Sequence, residues 1–435
     1  MIINKKGGDN MKKFLTLLMT ALLILSFAVP AMAESKTITT LSSNGGEAQL
    51  EFDKYINDKF HEMYPDYTAE ISYVSDPLAL IRQQLAAGVG TDLILTDVSS
   101  IALYASAGYL LPLDEYAEEY GWEDRFVSWA YDNCKIDGKL MGLPGKAQGL
   151  FMFYNKAMFE ENGWTVPETA DEFYDLCAKI SEAGILPITF GTADYKQCNE
   201  HWISMVYNSY LGAETMRDLL SGKQPWTIPE VGEATQILVD LYSNGWLCND
   251  FPVITSSDAL SLFATERAAM QMCGTWLTES LVNFPDLEWD YFVLPALSGK
   301  ETKVLPISTN GAFALNASSE VDHDVLAAYL NWNYDADLCA EAMVKLNALY
   351  PLKDIEVDPS QLDARMIRIS DDLNLVGDVY EIGYNPWTFW PTSVETAAWS
   401  NIESVLFGEM TIEQYQELLQ QGMDEDIANG RQKSF

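Results

Sequence analysis

Histidine, positive charge and short catalytic motifs are what this chain has least of. Its three histidines, His61, His201 and His323, lie far apart and show no ligand spacing such as H-x-x-x-H, which argues against a metal centre. Lys and Arg number 26 against 64 Asp and Glu, a formal charge of −38. Nucleic acid and anionic membrane surfaces select Lys/Arg patches, so neither is expected as a partner. No G-x-S-x-G elbow, P-loop or G-x-G-x-x-G occurs, and no cofactor is expected. The six cysteines, at 134, 177, 198, 248, 273 and 339, form no C-x-x-C pair. Cys177 and Cys273 stand where helical and strand patterns want a small apolar side chain. Buried free thiols are therefore expected, although export would permit disulfides. Internal repeats, low-complexity tracts and Pro- or Ser-rich linkers are missing too. A chain long enough for two domains, yet without a linker, suggests crossings between domains on strands.

What is present begins at the amino terminus. Lys12 and Lys13 precede an apolar run over 14–29 that closes in Ala31-Met32-Ala33. A basic start, a short apolar stretch and an A-x-A site describe a secretory signal peptide over residues 1–33. The run is shorter than the roughly 20 residues a spanning helix needs. Removing it takes away four basic residues and one acidic, leaving 22 against 63 in a mature chain of 402 residues with formal charge −41. No cysteine follows the cleavage site, so a lipid anchor is not expected. Periplasm or the outer face of the membrane is the expected location.

Strand and helix patterns alternate along most of the mature chain, which points to an α/β fold. A strand is expected over 37–41, and Phe52, Tyr55, Ile56, Phe60 and Met63 mark one helix face. A helix over 78–87 and a buried strand at 93–95 follow. Asp137-Gly138 is turn chemistry. Leu150 to Tyr154 is an apolar run of strand length that reads as buried on both faces. Thr169 and Glu172 form a capping box, ahead of Phe173, Leu176, Cys177 and Ile180 at helical spacing, and Gly184 ends that helix. An amphipathic helix spans 231–242, Ser257 is expected to cap 258–265, and strands follow in "AAMQM", "YFVLP" and "GAFALN". From His323 the chain reads as mainly helical.

Several blocks agree in order: "TDLILTDVSSIALYASAGYLLPLDEY", then "DGKLMGLP" with "FMFYNKAMFEENGW", then "FATERAAMQMCGTW", then "NGAFALNASSEVDHDVLAAYLNWNYD". Together they resemble extracellular solute-binding protein family 1, the carbohydrate-binding receptors of ABC transporters of the maltose- and multiple-sugar-binding type. The resemblance implies a two-lobed periplasmic-binding-protein fold, type II-like. Each lobe would hold a mixed, mainly parallel sheet flanked by helices. Lobe 1 would take 34–147 and 292–334, lobe 2 148–291 and 335–435. The crossings are expected near 145–149, 290–294 and 333–335. It also implies a monomer that is not an enzyme, with a carbohydrate ligand and ABC permease subunits as partners.

A sugar site wants flat aromatic platforms and polar side chains that fix hydroxyls. Trp276 follows the "AAMQM" strand through Gly274, where the family's G-x-W tryptophan faces the cleft. Trp202 sits in the polar segment "CNEHWIS"; Trp387 and Trp390 sit in "YNPWTFWP", where helix periodicity offers neither a burial site. Tyr154 ends the crossing strand. Glu47, Asp97 and Asn310 stand at strand-to-helix turns or a strand start near the expected crossings. Each of these eight has a packing alternative, as core ring, turn or cap. Two other functions remain open. An exported glycoside hydrolase needs two carboxylates set across a cleft. A binder of cationic or polyamine-type solutes needs carboxylates within reach of an aromatic cage, whereas Asn, Gln and Thr would favour sugar.

Overall fold

The computed structural model describes residues 36–43, 46–299 and 302–433. The expected signal peptide and Asn44-Gly45 lie outside them. Besides a short hairpin of Lys135–Ile136 with Lys139–Leu140, the strands among the described residues are, in chain order, β1 (Lys36–Ser43), β2 (Tyr67–Val74), β3 (Leu93–Thr96), β4 (Leu143–Pro144), β5 (Ala147–Asn155), β6 (Leu186–Thr189), β7 (Ala268–Gly274), β8 (Trp289–Phe292), β9 (Val304–Thr309), β10 (Ala312–Leu315) and β11 (Glu381–Tyr384). The helices that position the site are α1 (Glu47–Met63), α2 (Ala170–Glu182), α3 (Asn199–Leu220), α4 (Ala336–Leu346), α5 (Pro386–Phe389) and α6 (Thr392–Leu406).

Two separate hydrophobic cores define two lobes. The first gathers Ile38, Ile94, Leu143, Ala314 and Leu330 around the pair β1–β2 and the sheet β3–β10–β4. The second is larger and forms around β11–β9–β5–β7–β6, with β8 also on β5. Leu150, Phe151, Met152 and Phe153 of β5 are all fully buried, as a run without alternation requires of a strand covered on both faces. The sheets are mixed rather than mainly parallel. β1–β2, β6–β7 and β9–β11 run parallel, while β5 and β10 are antiparallel to every neighbour.

Sheet membership places the crossings. β4 pairs in the first lobe and β5 in the second, so the chain passes over at 145–146. β8 and β9 both pair with β5, so the second crossing falls at Asn310-Gly311, between β9 and β10, and not near 290–294. The third also comes later than 333–335. Leu338, Ala342 and Leu346 of α4 pack on Phe52 and Ile56 of α1, which keeps α4 with the first lobe. Leu349 reaches into the second core, but Tyr350 and Leu352 pack on the first, where Val127 N–H donates to Pro351 O and Lys353 N–H donates to Arg125 O. The second segment of the first lobe therefore runs from about 310 to Lys353.

Local signals account for the scaffold between. Thr169 caps α2 in a capping box with Glu172, and Gly184 beyond it takes φ 78°. Thr169→Ala should lower stability by about 1 kcal/mol. A denaturant melt with an unchanged midpoint would contradict that role. The helix over Ser256–Ala264 is capped by Thr255 with Asp258, two residues ahead of the expected Ser257. All six cysteines are buried and unpaired.

Candidate functional site

β7 runs antiparallel to β5, so its carboxyl end at Gly274 lies opposite Leu150, close to the first crossing. Thr275 N–H donates to Gly149 O at 3.0 Å, and Trp276 then folds back over Gly274. A Cβ on residue 274 would stand 1.9 Å from Cζ3 of that indole, so the turn admits only glycine there. The ring of Trp276 lies 5.0 Å from His201 and 6.0 Å from Trp387, and His201 lies 5.5 Å from Trp387. Trp387 Nε1–H donates to Thr309 O at 3.0 Å, on the last residue of β9 before the second crossing. Burial holds the His201 pKa down at about 4, so the ring is neutral and offers one donor and one acceptor.

A second constellation spans the lobes beside these rings. Asp97 follows β3 in the first lobe and makes no side-chain cap bond, so a capping role does not hold it. It faces Glu200 from the first turn of α3 and Glu395 from the first turn of α6. The Glu200 and Glu395 carboxyls meet, are 2% and 4% exposed, and Gln197 Nε2 donates to Glu395 Oε1 at 3.4 Å. Tyr195 O–H donates to Gln197 Oε1 at 2.7 Å. Thr392 Oγ1–H donates to Ser99 O at 3.2 Å, joining the lobes at the same place.

Charge crowding follows. Burial, then Glu395 and Asp97, push Glu200 well above the usual carboxyl range. Burial and Asp97 push Glu395 up to about 8, with Ser99, Glu200 and Lys433 opposing. Burial pushes Asp97 up to about 7, with Arg82 opposing and Asp76 adding. Raised carboxyls bind more protons folded than unfolded, so their ionisation costs stability as pH rises towards the folded values. His201 has the opposite sign, but only below about 6.5, its unfolded value. The melting temperature should therefore fall between pH 6.5 and 8.5, and Glu395→Gln should flatten that slope. A melting temperature that rises over this window would contradict the crowding.

The other flank of the boundary is held by Lys146, in the first crossing. Its Nζ donates to Gln49 Oε1 of α1 at 3.3 Å and lies 3.6 Å from Glu279 Oε1, three residues after Trp276.

Of the residues expected to bind ligand, Trp276 and Trp387 come together, and Asp97 lies at the same lobe boundary among carboxylates. Asn310 is in the second crossing, where its Oδ1 accepts from Lys146 N–H at 2.6 Å, a hinge contact. Glu47 is exposed at the start of α1. Trp202 and Trp390 are core rings. Trp202 packs on Phe190 and Phe251 with Nε1–H on Asn199 Oδ1, and Trp390 packs on Trp226 with Nε1–H on Tyr384 O. Tyr154 pairs with Met270 at the far end of β7 from Trp276, and packs on Phe159 and Phe292. Strand polarity sets it apart from the ring group. His201, Glu200 and Glu395 were not anticipated. The first two adjoin Trp202 in "CNEHWIS", and one helical step turns the buried tryptophan inward and the histidine towards Trp276.

The sequence pattern of the bacterial extracellular solute-binding proteins matches residues 43–337. The chain belongs to that family. This solute-binding protein is 24% identical over 299 residues to a multiple sugar-binding protein of Streptococcus mutans, covering 67% of this chain and 69% of the relative. It is 23% identical to a putative binding protein of Brucella abortus over 59% of its own length, and spans 64% of that relative. A chitin oligosaccharide binding protein superposes with TM-score 0.81 at 22% identity, over 91% of this chain and 100% of that one. A maltose-bound T. maritima protein gives 0.75 at 20% identity, over 89% and 99%. These two likenesses establish the two-lobed fold. No helix among the described residues is long and apolar enough to cross a membrane.

Proposed function

We propose that this solute-binding protein is an exported, monomeric receptor that captures a sugar or oligosaccharide between its lobes and delivers it to the membrane subunits of an ABC importer. The observation that carries this reading is the ring group Trp276–His201–Trp387, set where both main crossings meet. Flat rings at this place suit the C–H faces of a pyranose, and the neutral imidazole suits a hydroxyl. Family membership and the sugar-binding names of the relatives support it. Titration calorimetry of the mature protein against neutral mono- and oligosaccharides should find at least one ligand. Binding confined to a non-sugar class would sink the proposal.

A further inference from the structure

Resting on the sugar-receptor reading, we infer that the ligand is an amine-bearing saccharide whose ammonium sits among Asp97, Glu200 and Glu395, beside the Trp276–Trp387 rings.

Three acidic side chains from two lobes converge, and their neighbours offset them only in part. Among the described residues none of the three makes an ion pair, and Oε1 of Glu200 is buried without any hydrogen-bond partner. Arg82, which offsets Asp97, is an exposed residue after β2, and Asp76 near it acts in the opposite sense. Lys433 acts on Glu395 more than on Asp426, but its Nζ donates to Thr388 O at 3.5 Å, and Glu395 stays pushed up to about 8. The amino ends of α3 and α6 supply part of the compensation, since both glutamates stand in first turns. A neutral hydroxyl can bond one such carboxyl, yet it leaves the three crowded and holding protons. An ammonium supplies three donors and a positive charge, so the carboxyls can give up those protons and hold it as carboxylates. His201 follows Glu200 directly and touches both tryptophans, so an amine on Glu200 would place the attached ring on the aromatic group.

A carboxyl pair that merely shares a proton gives the opposite expectation, so matched ligands separate the two. Calorimetry at pH 7.5 would compare glucosamine oligomers with N-acetylglucosamine oligomers, and glucosamine with glucose. The amine member of a pair should bind about tenfold or more tighter, with the advantage shrinking as salt is raised. Its binding should also release protons, read from the difference in heat between phosphate and Tris buffers. Glu200→Gln and Glu395→Gln should each remove the advantage of the amine member. Equal or tighter binding of the neutral member, without proton release, overturns the inference and leaves the sugar reading standing. Binding of spermidine with no sugar of either kind overturns both. Should either variant fail to fold, the paired ligands on the wild-type protein decide the matter alone.

Discussion

Trp276→Ala should weaken sugar binding by about two orders of magnitude while barely changing the melting temperature. An aromatic platform contributes roughly 150–250 Å² of buried surface, and truncating a ring at the centre of a binding site costs about 2–4 kcal/mol. At about 1.4 kcal/mol per tenfold, that is about 30- to 700-fold in affinity. Folding loses less, because the indole is only half-buried and packs on His201 and Trp387 at the rim of the second core. Gly274→Ala should reproduce most of the loss without removing any ligand contact, since its Cβ would occupy the space of the indole. Calorimetry and thermal melts on both variants check this. A Trp276→Ala protein that binds sugar like the wild type would remove the ring group from the site.

Asp426→Ala should be the most destabilising single change proposed, by about 3–5 kcal/mol. The carboxylate is fully buried, accepts from Ser393 N–H at 2.9 Å and Val394 N–H at 3.1 Å, and pairs with Arg431 Nε at 2.8 Å. It thus satisfies the free N–H groups at the start of α6 from 33 residues away. Removing it leaves the helix end bare and the Arg431 guanidinium with only Ser393 Oγ and the exposed Glu425. Because α6 carries Thr392 and Glu395, the same change should loosen the lobe contact at Ser99 and the carboxyl group beside it. Asp426→Asn retains an acceptor oxygen and should cost less. Denaturant melts rank the two, and equal losses would mean that the charge is immaterial.

The scaffold was legible wherever a signal is local. The apolar run of β5 and the capping box of α2 carry their structure within ten residues. Partners distant in the chain left no such mark. "YFVLP" reads as a strand in either lobe, and only its pairing with β5 assigns it to the second. α4 looks like any amphipathic helix until Leu338 and Ala342 meet Phe52. At the site, the G-x-W turn was readable because a backbone constraint produces it. Trp202 and Trp390 misled because composition says that a ring is present, not which way a helix or turn points it. The carboxyl group unites positions 97, 200 and 395, and no window of sequence contains that juxtaposition.

The connections between the lobes are laced to one another. Lys146 N–H bonds the Asn310 side chain, Asn310 N–H bonds Lys146 O at 2.9 Å, Gly145 N–H bonds Gly311 O at 2.9 Å, and Ala147 N–H bonds Leu349 O at 2.7 Å. Three separate tethers would let one body wobble about the other in any direction. Laced, they act as one leaf spring, stiff to shear and soft to a single bend. Dye pairs placed at different points on the two lobes should then report one shared coordinate, each distance a fixed function of every other.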